Sequence, residues 1–112
     1  MTIIVRAEVQ VRAEDLDAFR EVAGQLAAAS KDEPGTVQYR WFAGGDPTTF
    51  VVIEEYADES AAFSHNRNCA ELLDRSGRLS TLTSVQIHGD LGPDLLRWIE
   101  QHPQARGFPT LG

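Results

Sequence analysis

The chain has 112 residues, 42% of them hydrophobic, one cysteine and a formal net charge of -7. That length sustains one modest core, and the acidic balance repels phosphate backbones, so nucleic acid is not an expected partner. The scattered Lys and Arg offer no basic cluster to an anionic membrane surface, and one thiol excludes an internal disulfide or a zinc site built from several cysteines.

A lone cysteine also fits a reducing compartment. The opening MTIIVRAEVQV is interrupted by Arg6, Glu8 and Gln10 and lacks the layout of a signal peptide. No apolar run is long enough to span a bilayer, so a cytoplasmic protein is expected.

Residues 3–12 alternate, with Val5, Ala7, Val9 and Val11 on one side and Arg6, Glu8, Gln10 and Arg12 on the other. This is the period of a strand with one apolar face. Residues 14–31 change to a helical period. Leu16, Phe19, Val22, Ala23, Leu26, Ala27 and Ser30 share an arc, acidic residues lie in the first turn, and Pro34-Gly35 ends the element.

A second strand is predicted over 36–42, with Val37, Tyr39 and Trp41 on one face. A third follows over 49–57 after the Gly44-Gly45-Asp46-Pro47 loop, making a hairpin. Phe50, Val51, Val52 and Ile53 do not alternate, which predicts burial on both faces and, in so small a domain, a partner subunit over one of them. Glu54 and Glu55 fall on opposite faces, so they form no paired-carboxylate site.

Asp58 is placed to cap a second helix running to about Arg75, with room for a break. A fourth strand is predicted over 79–88, with Thr81, Thr83, Val85 and Ile87 facing opposite to Ser80, Leu82, Ser84, Gln86 and His88. Pro93 starts a short helix that Pro103 stops, and an extended tail follows. The order β-α-β-β-α-β is the ferredoxin-like arrangement, an α+β fold. Its four-stranded antiparallel sheet carries both main helices on one face, and here a C-terminal helix is added. Residues 1–91 are expected to form this unit, and 92–112 a helix and tail belonging to the same domain.

On a wheel of the second helix, His65 falls inside the apolar arc with Ala62, Phe63, Cys69, Leu72 and Leu73, and Asn66 intrudes beside it. A buried imidazole needs partners for its ring nitrogens and tends to stay neutral. Such a ring can serve as a general base near neutral pH. It can equally be a core histidine bonded to a carbonyl or carboxylate, and spacing alone favours that plainer role. The three histidines are too far apart in sequence to suggest a metal site.

Three features make the chain resemble the antibiotic biosynthesis monooxygenase (ABM) domain, in the group of quinol monooxygenase-like proteins. They are Glu33-Pro34-Gly35 before a strand bearing Tyr39, the series Glu54, Tyr56, Asp58, Ala61 and His65, and His88-Gly89-Asp90 closing the last strand. Their order spans most of the chain. The resemblance implies a dimeric α/β-barrel, a homodimer joined through the open sheet face. It also implies oxidation of a quinol, anthrone or related aromatic by molecular oxygen, without metal, flavin or other cofactor.

On that reading His65 is the proton acceptor and Tyr56 orients the substrate or donates to its oxygen. Tyr39, Trp41, Phe50, Phe63 and Asn66 form the substrate wall. The alternative is a non-catalytic ligand-binding or stress-associated dimer, with haem binding or degradation behind it. The chain departs from the pattern in three places. Cys69 fills the slot of a second histidine, and Val52 and Tyr56 stand where anthrone-oxidising members use Asn and Trp. The first strand lacks the Asn of haem-degrading members.

Overall fold

The computed structural model describes residues 2–112. In chain order it contains β1 (Ile3–Val11), a 3-10 turn (Ala13–Asp15), α1 (Leu16–Ser30), β2 (Thr36–Ala43) and β3 (Thr49–Tyr56). These are followed by α2 (Glu59–Asn68), α3 (Ala70–Leu79), β4 (Ser80–Gly89), α4 (Pro93–Gln101) and β5 (Ala105–Pro109). The sheet order is β2-β3-β1-β4-β5. The first four strands pair antiparallel in the ferredoxin-like order.

The tail expected to be merely extended is a fifth strand, and the sheet is therefore mixed. Ala105 to Pro109 pair in parallel with Val85 to Gly89. Pro103 stops α4, and the returning chain satisfies backbone groups that β4 would otherwise leave open at its edge.

Two register shifts correct the expected strand faces. Between Thr36 and Gln38 the β2–β3 register slips, leaving Val37 as the extra residue. Val37 is exposed, while Tyr39 and Trp41 face the helices. Between Glu8 and Val9 the β1–β4 register shifts, so Leu82 pairs with Val9. Leu82 therefore joins Val85 and Ile87 on the helix side, and Thr83 turns away to donate its hydroxyl to the Glu8 carbonyl at 3.1 Å. A strand repeats every two residues, so one extra residue reverses every face beyond it.

The second helix is broken. The Asp58 carboxylate accepts the Ala61 N–H at 2.8 Å and caps α2 as expected. At Cys69 the backbone leaves helical geometry (φ -102, ψ 17), and α3 restarts. A continuous wheel through this point misplaces residues, since Ala70 is exposed and Ser76 is buried.

Two glycines allow the close approaches that fix these pieces. A Cβ on Gly35 would lie 2.5 Å from the Ala61 Cβ, so α2 rests directly on the turn after α1. Gly89 has φ +122, and a side chain there would meet the Thr2 carbonyl. No helix among the described residues is long and apolar enough to cross a membrane.

The helices cover one sheet face. Phe19, Val22, Ala23 and Leu26 of α1 are buried over one part of it. On the opposite face Ile4 and Phe42 are exposed, and Val51 and Ile53 are only half-buried.

Candidate active site

Inside the fold, α2, α3 and α4 stand off the sheet and leave a cavity of about 340 Å³. Its floor includes Ala7 of β1, Trp41 of β2 and Val85 of β4. Phe63, Leu73, Leu95 and Trp98 come from the three helices above. Asn66 and Gly77 line it while remaining exposed, so it opens to solvent beside them. A volume of this size suits a small organic ligand.

One row of polar groups enters this apolar space. Alternation along β3 puts Phe50, Val52, Glu54 and Tyr56 on the inner face, and register places Tyr39 opposite Glu54 and Trp41 opposite Val52. The Tyr56 hydroxyl donates to the Glu54 carboxyl. Glu54 is half-buried by surface area, but it faces the cavity rather than open solvent. Burial is the dominant influence on its carboxyl and pushes it above the usual range, against the Tyr56 hydrogen bond and the nearby His65. Burial first, and then the Glu54 charge, push the Tyr39 and Tyr56 hydroxyls far above an ordinary phenol. Both tyrosines are therefore hydrogen-bond donors, not bases.

The indole N–H of Trp41 is buried with no partner. It lies near enough to the Tyr39 hydroxyl to favour that group's ionised form, yet does not reach hydrogen-bond geometry. An orphaned buried donor costs about 1–3 kcal/mol.

His65 is elsewhere. It is 1% exposed and does not line this cavity, while the Tyr39 and Tyr56 rings, which do, pack beside it. Their centroids lie 5.1 and 5.5 Å from its own. Its Nδ1 meets Glu33 Oε1 at 2.8 Å. Thr36 donates to the same oxygen at 2.8 Å, Asn68 donates to Oε2 at 2.7 Å, and the Cys69 thiol approaches Oε2 at 3.4 Å. Burial alone would raise the Glu33 carboxyl, but the hydrogen bonds from Asn68, His65 and Thr36 outweigh it and hold the group below its ordinary value. Burial, then the Glu33 carboxylate, push the Cys69 thiol up to about 11.

Glu33, His65 and Cys69 thus bring one possible ligand atom each within 4.8 Å of one another, a grouping hidden by their separation in sequence. As it stands, the grouping is a hydrogen-bonded cluster around Glu33 with a protonated thiol.

Of the residues expected at the site, Tyr39, Trp41, Tyr56, Phe63 and Asn66 line the cavity together. Phe50 does not. It packs on Phe19 of α1 at 5.2 Å between ring centroids, beside Val9 and Val11. Glu54 is the residue that sequence reasoning missed. Its position two residues before Tyr56 on the inner face was the available signal, obscured by the unbroken apolar run before it. The Glu33 partner of His65 was present as the first residue of the Glu33-Pro34-Gly35 feature, without its role.

Fold and cavity define a class of small α+β proteins that enclose a ligand space between helices and one sheet face. The chain belongs to the antibiotic biosynthesis monooxygenase family, whose model matches residues 2–70. A curated relative, "Putative monooxygenase YcnE" of Bacillus subtilis (strain 168), is 35% identical over 65 residues, covering 57% of this chain and 68% of its own. MupZ from Pseudomonas fluorescens superposes with a TM-score of 0.85 at 21% identity, over 99% of this chain and 91% of that one. A point mutant of SnoaB, a cofactor-independent oxygenase from Streptomyces nogalater, superposes with a TM-score of 0.68 at 17% identity, over 77% and 89%. At these identities the two structures speak for the fold alone.

Proposed function

We propose that the protein is a cofactor-independent monooxygenase acting on a quinol, anthrone or related electron-rich aromatic. The observation that carries this reading is the largely apolar cavity with one carboxyl, Glu54, facing it and pushed by burial above its ordinary value. Family membership supports it.

In this reading Glu54 takes the proton of the substrate hydroxyl. The resulting anion gives one electron to oxygen, and the ring radical and superoxide combine into a carbon–oxygen bond. The peroxide takes the proton back from Glu54 and loses hydroxide together with the hydrogen of the same carbon as water, leaving a ring carbonyl with one oxygen atom in product and the other in water. Tyr56, already bonded to Glu54, holds the base in place, and the cavity walls orient the ring. His65 is a positioning residue beside Tyr39 and Tyr56, not the proton acceptor in contact with substrate.

The test is oxygen uptake with a panel of hydroquinones and anthrones, with label from 18O2 followed into product. Turnover with one labelled oxygen in product is expected, and Glu54→Gln should lower it strongly. Equal rates in wild type and Glu54→Gln would remove Glu54 from the mechanism. Ligand binding with no oxygen consumption across the panel would favour the non-catalytic binding protein.

We also propose a homodimer through the open sheet face, supported by the exposed Ile4 and Phe42 around half-buried Val51 and Ile53. Light scattering should give twice the chain mass, and a monomer at micromolar concentration would overturn it.

A further inference from the structure

We propose that Glu33, His65 and Cys69 form a binding site for a zinc ion, seated between the turn after α1 and the end of α2, with the fourth position left to water. None of the three lines the cavity, and the site stands or falls independently of the oxygenase reading.

The three ligands converge from two places in the chain. His65 lies on α2 and Cys69 at its C-terminal cap, four residues on, so one helical turn brings both side chains to the same face. Glu33 reaches them from the turn before β2. The Nδ1 of His65 lies 2.8 Å from Glu33 Oε1, and Cys69 Sγ lies 3.4 Å from Oε2. Zinc bonds of about 2.0–2.3 Å set tetrahedral neighbours roughly 3.3–3.6 Å apart. The three ligand atoms are all within 4.8 Å of one another, so small side-chain rotations close the set. Imidazole, thiolate and carboxylate together suit zinc, whereas magnesium and calcium prefer oxygen alone.

The charges favour a cation at this point. Among the described residues Glu33 forms no ion pair with Lys or Arg, and its basic partner is His65. The Cys69 thiol is buried beside that carboxylate, which opposes its ionisation. A zinc ion reverses the relation. It replaces the thiol proton, which leaves to solvent, and takes the Nδ1 lone pair of His65, whose own proton passes to Nε2. Two negative ligands and one neutral ligand then balance the ion, so the site carries no net charge.

The ion also has a way in. Glu33, His65 and Asn68 line a groove at the surface, and Asp32 on the same groove adds a negative charge that favours a cation's approach. Asn68 donates to Glu33 Oε2 at 2.7 Å and would steady the carboxylate as an outer partner.

The test uses the full chain after removal of metal with a chelator. Zn2+ is titrated in competition with a chromophoric chelator, and Co2+ is the spectroscopic probe. Wild type should bind one Zn2+ per chain with a dissociation constant of about 1 µM or tighter. Co2+ should give a thiolate-to-metal charge-transfer band and the intense visible bands of tetrahedral coordination. Cys69→Ser preserves size and hydrogen bonding, yet it should lose the charge-transfer band and weaken Zn2+ at least about a hundredfold. Asn68→Ala should keep the band and weaken Zn2+ about tenfold. Zn2+ should raise the melting temperature of wild type and not that of Cys69→Ser.

The wild-type cobalt spectrum is decisive by itself, whether or not a variant folds. Cobalt bound without the charge-transfer band would put the ion on surface groups and overturn the inference. Undiminished Zn2+ affinity in folded Cys69→Ser would overturn it too, as would no binding at micromolar Zn2+.

Discussion

Two polar clusters adjoin the Tyr39 and Tyr56 rings, and they differ in how their hydrogen bonds are met. On one side, Glu33 receives Thr36, Asn68 and the His65 ring, so the cluster is satisfied from within the chain. On the other, Glu54 has Tyr56 as its side-chain donor, and the neighbouring Trp41 N–H has no partner. A fully paired cluster ties one turn to one helix. A carboxyl beside a cavity that keeps lone pairs unused can still accept from a molecule that enters. His65, the residue most conspicuous in sequence, belongs to the first kind.

The sharpest way to break this contrast is Glu54→Gln. Oxygen uptake should fall at least about a hundredfold if Glu54 is the base, with no loss of melting temperature. Its carboxyl is raised in the fold, so the acid form is favoured by folding, and stability should decline as pH rises above its ordinary value of 4.5 toward the folded one. Thermal melts across pH should show that decline in wild type and not in Glu54→Gln.

Glu33→Ala strikes the satisfied cluster. It leaves His65, Asn68 and Thr36 without their shared acceptor, and urea unfolding should show a loss of about 3 kcal/mol. The sign with pH is opposite to that of Glu54. Glu33 is held below its ordinary value of 4.5, so its contribution is present above that pH and is lost as pH falls further. A variant as stable as wild type would show that the cluster does not hold the fold.

Gly35→Ala should destabilise by about 2 kcal/mol, because the new methyl would force α2 off the turn that carries Glu33. Gly45→Ala, where a Cβ meets open space, is the control and should melt with wild type.

Trp98→Ala acts on the cavity roof, where the Trp98 ring also stacks on His102. Removing this part of the roof should raise KM about tenfold with kcat nearly unchanged. A matching fall in kcat would mean that α4 positions the reacting ring rather than merely holding it. α4 and β5 lie beyond the segment matched by the family model, so this test also asks what the C-terminal addition contributes.

The amino-acid sequence by itself determined the order of elements as far as α4, the Asp58 cap and the inward placement of His65. Each rests on periods and local hydrogen bonds that act within a few residues. It also carried the family features, with Gly35 and Gly89 at points where a side chain would collide. Tertiary structure decided the rest. Register shifts at Val37 and between Glu8 and Val9 turned residues to opposite faces, and β5 formed only because β4 offered an edge. Long-range packing also set the Tyr39 and Tyr56 rings against both His65 and the cavity and left Glu54 facing the cavity. Whether a buried polar residue is satisfied or waiting for a ligand depends on which distant atoms reach it, and no local period encodes that.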